Sequence, residues 1–143
     1  MTTTKLAHVA QKFGDEFQGY PLFLNALDDR QLLIVVRSAP AFRVRLSTES
    51  EFSKKVDQLG ISDEVKLGDP QLDDSYVIRA GEPDQIGAQL TPEARSLIAR
   101  LGPFVELDLT AREYRLLKEI PDSEESVLTS TLDTLVDLVK LTS

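Results

Sequence analysis

A short acidic stretch holds the densest group of possible cation ligands in the chain. Five carboxylates fall within twelve residues, around a glycine and a proline: Asp63, Glu64, Asp69, Asp73 and Asp74. Hard cations such as Ca²⁺ and Mg²⁺ take oxygen ligands of this kind, although the spacing is not that of an EF-hand. Asp69, Asp73 and Asp74 are therefore the candidate metal ligands, and a solvated acidic loop is the alternative.

The sequence contains few residues in arrangements that are typical of catalysis. The one histidine, His8, lies between Leu6 and Val9, where helical spacing places it at the border of an apolar face. No serine-hydrolase elbow, P-loop, dinucleotide-binding glycine pattern, zinc-protease motif or kinase motif accompanies it. The absence of Cys excludes disulfides, Cys-ligated zinc, iron–sulfur clusters and thiol catalysis. The sequence therefore nominates no catalytic residue, no cofactor and no class of enzyme.

Basic side chains are concentrated in one strip of the N-terminal half. Arg37, Arg43 and Arg45 lie close together, and strand alternation places Arg43 and Arg45 on the same face. Residues 1–60 carry 8 basic and 7 acidic groups, whereas residues 61–143 carry 8 and 17. The strip is predicted to face the acidic half of its own chain, and Arg43 and Arg45 are also candidates for binding an acidic partner.

The C-terminal segment has the longest apolar stripe of the chain. Leu128, Leu132, Leu135 and Val139 share one helical face, and Leu138 extends the apolar surface around the helix. Such a surplus is typical of an interface, and a twofold contact between two copies is the commonest way to cover it. Leu138 is thus a candidate interaction residue for a weak homodimer or a protein partner. Burial on two sides within one chain is the alternative.

Length and composition limit the class of protein. With 143 residues, 41% of them apolar, the chain can bury a core, and a single domain over residues 1–143 is predicted. A net charge of -8 argues against nucleic-acid binding, which draws on clustered Lys and Arg. The longest apolar run, residues 32–36, is far shorter than the ~20 residues of a membrane span. The first residues lack the apolar core of a signal peptide, so a cytoplasmic location is expected.

Apolar periodicity and turn residues predict the element order α-β-β-β-α-(β)-β-α-β-β-α. The first helix is predicted to reach Phe17 and the last to begin at Asp122 or Ser123. Between them we expect hairpins at 22–37 and 105–120, strands at 42–46 and 76–78, a brief strand at 64–67, and helices at 48–60 and 91–101. Hairpins without regular βαβ units predict an α+β fold. Its mainly antiparallel sheet would be packed by an N-terminal helix, one or two inner helices and a long C-terminal helix.

Two segments of the chain follow the same plan. A helix, a proline, a strand and an arginine before a second strand occur in both, and the spacing from Pro21 to Arg30 equals that from Pro103 to Arg112. Duplication would predict pseudo-symmetry in the sheet. A helix followed by a hairpin is also a common arrangement, which explains the match without duplication.

Three neighbouring segments carry a resemblance to known proteins. Residues 73–79 read DDSYVIR, residues 80–83 read AGEP and residues 90–93 read LTPE. This order of acidic residue, aromatic, β-branched strand, charged turn and Leu-Thr-Pro helix start resembles the soluble domain of a group of uncharacterised bacterial proteins, commonly found next to membrane-spanning helices. It covers roughly residues 42–120. The resemblance implies an α+β domain on the cytosolic side of a membrane protein, or a free relative of one, and brings no catalytic residues.

Abundant fold signals beside missing catalytic motifs favour a non-catalytic protein-interaction domain. It would be the cytosolic portion of a membrane protein or a partner to one. The alternative is a small-molecule or divalent-cation-binding domain that uses the acidic loop 63–74.

Overall fold

The computed structural model describes residues 4–48 and 64–143, and this part of the chain has the expected α+β fold. Its five helices are α1 (Lys5–Gln11), α2 (Pro70–Asp73), α3 (Ile86–Gln89), α4 (Pro92–Leu101) and α5 (Glu125–Thr142). The strands of the described residues are β1 (Glu16–Phe17), β2 (Tyr20–Ala26), β3 (Gln31–Val36), β4 (Val44–Ser47), β5 (Val77–Ala80), β6 (Glu106–Leu109) and β7 (Tyr114–Glu119).

All seven strands belong to one antiparallel sheet with the order β1-β2-β3-β7-β6-β4-β5. Two hairpins, β2–β3 and β6–β7, meet at its centre, where Val36 lies opposite Tyr114 and Gln31 opposite Glu119. Each hairpin follows a helix, so the two repeated segments of the sequence lie side by side with their inner strands antiparallel. The two hairpins are thus arranged as a pseudo-twofold symmetry would place them.

The two faces of the sheet differ in what covers them. One face, called here the inner face, packs against α1, α4 and α5 in a continuous apolar core. Its strand residues are buried and include Leu22, Leu32, Ile34, Val36, Val44, Leu46, Ile78, Leu107, Leu109, Tyr114 and Leu116. Because side chains alternate along a strand, the residues between these point to the opposite face, called the outer face.

The first helix is shorter than predicted. It ends at Gln11, and Phe17 belongs to β1 instead of the helix. Gly14 has a φ of 69° and Gly19 a φ of 88°, a left-handed conformation that reverses the chain and favours glycine. Phe13 and Phe17 still contact each other, with ring centroids 6.3 Å apart. Their spacing of four residues, which is also that of a helical face, here brings the two rings together across a turn.

Other boundaries differ for equally local reasons. The last helix begins at Glu125 because Pro121–Ser123 form a separate 3₁₀ turn in which Asp122 has a φ of 53°. The brief strand predicted at 64–67 is a single bridge between Val65 and Ile78. The short helices α2 and α3 were not predicted. For the helix predicted at 48–60, residues 49–60 lie outside the described residues.

Helix α4 begins where its capping residues predict. The Thr91 side chain accepts the Ala94 N–H at 3.2 Å, Pro92 occupies the first turn, and Gly102 follows the last helical residue. None of the helices in residues 4–48 and 64–143 has the length and apolar character needed to cross a bilayer.

Candidate functional site

The acidic loop uses its carboxylates to hold its own backbone. Asp73 accepts the N–H groups of Leu67 and Gly68 at 2.9 Å each and that of Asp69 at 3.2 Å. Asp69 in turn accepts the Gln71 N–H at 3.1 Å and caps α2. Short acidic side chains favour such local bonds in turns and at helix starts.

The same loop contains the three candidate metal ligands. Among the described residues, no three or more His, Asp or Glu side chains are grouped so that they could hold a metal ion. Asp74 is exposed, and Asp63 lies outside the described residues. Cation binding by Asp69, Asp73 and Asp74 stays a prediction, and two of these carboxylates already serve the backbone.

The single histidine shows no catalytic arrangement. His8 is exposed in the last turn of α1, beside the buried residues Leu6 and Val9. In residues 4–48 and 64–143 its imidazole has no hydrogen bond or ion pair. A general base needs a positioned partner or substrate group, and the hydrogen bonds and ion pairs of the described residues include none for His8.

The outer face brings the predicted basic strip together with distant charges. Four successive strands place charged residues opposite one another, in the order Arg79, Arg45, Asp108 and Arg115. Arg43, just before β4, borders the same cavity of about 330 Å³ as Arg45, Arg79 and Asp108. Sequence reasoning found Arg43 and Arg45 and missed Arg79 and Arg115, because only the register between strands reveals this row.

The prediction that the basic strip faces its own acidic half is confirmed for Arg45. Its guanidinium contacts the Glu106 carboxylate at 2.8 Å, and both side chains are largely covered, with 27% and 19% of their surface exposed. Burial raises the pKa of the Asp108 carboxyl, against the opposing effect of the Arg45 charge. Partial burial therefore outweighs charge pairing at Asp108, contrary to the simple expectation that paired carboxylates have lowered pKa values.

The other end of the outer face is apolar and open. Phe23 and Leu27 are the most exposed large apolar residues in the described chain, at 52% and 51%. Leu27 lines a cavity of about 170 Å³ together with Leu33, Leu117, Arg115 and Glu106. We call Phe23, Leu27, Leu33, Leu117 and Arg115 the outer-face patch. The run of residues 32–36 is apolar on both faces, which predicts cover on both sides of this strand. The described helices contribute to the core of the inner face instead.

The apolar surplus of the C-terminal helix is buried within the chain. Leu138 has 0% of its surface exposed, as have Leu128 and Leu135, and α5 packs against α4 as well as the inner face. Leu138 is therefore a core residue, which corrects its assignment as an interaction residue. Leu141 alone of the large apolar side chains on α5 is exposed, at 41%. The prediction of a contact between two copies through this helix was based on a surplus of exposed apolar residues, and that surplus is buried within the chain.

A buried cation on the inner face went unrecognised. Lys118 is only 7% exposed, and its Nζ donates to the Leu101 carbonyl oxygen at the last residue of α4. An ammonium group at a helix C-terminus satisfies a free carbonyl and complements the helix dipole. Burial lowers the pKa of Lys118. Alternation with Leu116 and Ile120 was the signal that this lysine faces the core.

Comparisons with known proteins add no assignment to this geometry. No protein-family model matches the chain, and a search of curated proteins finds no significant match. The distinguishing features of the chain are therefore structural. Its inner face is covered, and its outer face combines exposed apolar side chains with a row of charges.

Proposed function

We propose that this chain is a non-catalytic protein-interaction domain that binds a partner polypeptide on its outer face. The outer-face patch is the observation that carries the proposal. Phe23 and Arg115 belong to residue types that are enriched at protein interfaces, and the leucines beside them supply apolar contact area. Leu27 is exposed and lines the cavity with the half-buried Leu33 and Leu117, while Phe23 lies further along β2 on the same face. A contiguous apolar surface of this kind marks an interaction site more often than a single exposed apolar residue does.

The chemistry of the patch suggests which partner it fits. A cavity between Leu27, Leu33 and Leu117 suits an apolar anchor side chain of the partner. Arg115 pairs with Glu113 at 3.2 Å yet keeps 45% of its side chain exposed, so it remains open to a second carboxylate. With Arg43 and Arg45 further along the face, the surface favours an acidic segment that carries an apolar anchor.

A cytoplasmic location and a partner in the membrane extend this proposal. Their support is the resemblance of residues 73–93 to soluble domains that stand beside membrane helices. Location can be tested separately from binding, by fractionation of cells that express the chain at its natural level.

Two matched peptides test the proposed function. Both carry the same Leu and Phe anchors, flanked by Glu in one peptide and by Lys in the other, and each is titrated into ¹⁵N-labelled protein. We expect saturable amide shifts around Leu33, Arg115 and Leu117 with the Glu peptide, and weaker shifts with the Lys peptide. Arg115→Ala should weaken binding of the Glu peptide about threefold, the effect of one exposed ion pair.

Variants of the patch give the decisive control. Leu117→Asn should abolish the shifts, whereas Leu141→Asn, an exposed leucine on α5, should leave them unchanged. Equal binding of both peptides, shifts away from the outer face, or no shifts at millimolar peptide would overturn the proposal.

A further inference from the structure

Most of strand β2 lies at an edge of the sheet. Its neighbour β1 pairs only with Tyr20 and Pro21, and the Leu22 N–H donates to the Asp15 carbonyl oxygen at 2.9 Å. From residue 23 to residue 27, no strand among the described residues lies on the side of β2 that faces away from β3. Among residues 4–48 and 64–143, this leaves an edge of five residues without a paired strand, called here the free edge.

The hydrogen bonds to β3 show which backbone groups point away from the sheet. Leu27 N–H donates to the Gln31 carbonyl at 2.9 Å, and Arg37 N–H donates to the Pro21 carbonyl at 3.0 Å. Because hydrogen-bonded pairs alternate along an antiparallel ladder, the odd-numbered residues of β2 face β3. Leu24 and Ala26 therefore direct both N–H and C=O outward, and within the described part of the chain these groups have no protein partner.

The opposite edge of the sheet, at β5, is partly covered by a neighbouring segment. There the Val65 N–H donates to the Ile78 carbonyl at 2.8 Å and so covers part of β5. Natural edge strands are otherwise protected by lysine, proline or a bulge. The segment 23–27 reads FLNAL and has none of these devices. Helix α1 packs against β2 from the inner face, and a cavity of about 390 Å³ lies between α1 and residues Leu24, Asn25 and Ala26.

We propose that two copies of this chain pair through β2, in antiparallel orientation, about a twofold axis at Asn25. In this register Leu24 lies opposite the partner's Ala26, and the outward groups of both residues form reciprocal hydrogen bonds. Asn25 lies opposite its own copy in a non-hydrogen-bonded pair. The same surface serves both subunits, as a twofold contact requires.

The side chains on the outer face fit the same register. It places Phe23, 52% exposed, opposite the partner's Leu27, 51% exposed, and the symmetry repeats that pair on the other side of Asn25. Aromatic and aliphatic side chains directly opposite each other are stabilising cross-strand pairs. The two most exposed large apolar residues of the described chain would thus cover each other.

Neighbouring registers fit less well. An axis at Leu24 would place Ala26 opposite the partner's Leu22, whose N–H is already bound by Asp15. An axis at Ala26 would place Leu24 opposite the partner's Asp28, whose carboxylate holds the turn by accepting the Arg30 and Gln31 N–H groups. Only the axis at Asn25 keeps all five paired residues within the free edge.

The pairing rests on a different observation from the proposed function, namely the backbone edge of β2, although Phe23 and Leu27 belong to both surfaces. Leu33 and Leu117 lie on more central strands, so substitution of Leu117 tests partner binding and substitution of Asn25 tests dimer formation. A dimer would place two outer-face patches side by side on one continuous sheet.

Cysteine cross-linking tests the register, since the chain contains no cysteine of its own. In a non-hydrogen-bonded antiparallel pair the Cα atoms are about 4.5 Å apart, within the range that a disulfide spans. Under oxidised glutathione, Asn25→Cys should form a disulfide-linked dimer at least tenfold faster than Leu141→Cys, an exposed position on α5. Equal rates for the two variants would overturn the proposal, and faster linking by Leu141→Cys would favour a contact through α5.

Sedimentation of cysteine-free protein tests the same contact without cross-linking. The mass of the wild-type chain should rise toward that of a dimer between low and high micromolar concentration. Asn25→Lys should raise the dimer dissociation constant at least tenfold, because two like charges would face each other at the axis. Leu24→Pro should act similarly, since it removes an outward N–H and leaves the ladder to β3 intact.

Two controls keep these outcomes interpretable. Leu117→Asn should leave the dimer unchanged, and Asn25→Lys should leave the peptide-induced shifts around Leu117 unchanged. Circular dichroism must show that each variant is folded, and Asn25 is exposed, so its substitution should not disturb the core. A wild-type mass that stays monomeric up to high micromolar concentration would overturn the proposal.

Discussion

At the scale of single residues, Asp73 illustrates a carboxylate that serves the backbone. Its side chain accepts three N–H groups from residues 67–69. Asp73→Ala should lower the free energy of unfolding by about 1–3 kcal/mol, the cost of leaving such donors without their charged acceptor. Urea denaturation measures this, with Asp74→Ala as the control at the adjacent exposed position, where a change within about 0.5 kcal/mol is expected.

The same loop allows a test of the cation-binding alternative. Titration with Ca²⁺ and Mg²⁺, followed by backbone NMR, should leave residues 64–74 unshifted if their carboxylates serve only the backbone. Saturable shifts confined to this loop, and lost in Asp73→Ala, would instead support binding by Asp69, Asp73 and Asp74.

Lys118 predicts a dependence of stability on alkaline pH. Burial lowers its pKa in the folded protein below the ordinary value of 10.5. Between the folded and the unfolded pKa, the unfolded chain binds more protons, so the lysine's contribution to stability becomes more favourable as pH rises. Urea midpoints at pH 7, 8, 9 and 10 should therefore shift in favour of the wild type relative to Lys118→Met. A constant difference between the two proteins would contradict this assignment.

At the scale of elements, α5 offers a comparison between two leucines three positions apart. Leu138 is fully buried, whereas Leu141, on the next turn, is 41% exposed. Leu138→Ala should lower the free energy of unfolding by ~2–5 kcal/mol, as large-to-small changes in a core do. Leu141→Ala should change it by no more than about 0.5 kcal/mol. Chemical denaturation measures the free energy of unfolding of both variants. Similar losses in the two would refute the buried orientation of Leu138. The buried Leu135 should behave like Leu138.

Elements with local signals were predicted well, and those set by distant contacts were not. Helix α4 could be read from Thr91, Pro92 and Gly102 because capping and termination depend on adjacent residues. The apolar spacing of Phe13 and Phe17 predicted a longer helix, since periodicity alone does not reveal that Gly14 adopts a positive φ.

The candidate site required the register of the sheet. Arg45 and Arg115 lie far apart in the sequence and on either side of Asp108 in the structure. Likewise, the apolar count of α5 could not distinguish a second packed side within the chain from a contact with another molecule. The free edge at Leu24 was invisible to sequence reasoning, because edge position depends on where every other strand lies.

At the scale of the whole molecule, the sheet joins both halves of the chain. Strands from residues 16–36 and 114–119 are adjacent at its centre, so neither half can bury its inner face alone. We expect a single cooperative unfolding transition, as small single domains usually show. Far-UV circular dichroism and the fluorescence of the buried Tyr76 and Tyr114 should give coincident urea curves. Two separated transitions would contradict the prediction of one domain.

The pairing of β3 with β7 also sets the order of events during synthesis. The first hairpin is translated long before its central neighbour, since residues 31–36 must await residues 114–119. At a translation rate of roughly 5–20 residues per second, that interval is on the order of several seconds. During this time β3 lacks its neighbour β7, and Ile34 and Val36 lack the C-terminal helices of the core that later cover them. The ribosome-bound chain therefore exposes a strand edge and apolar side chains that the folded chain buries, which are features that promote aggregation.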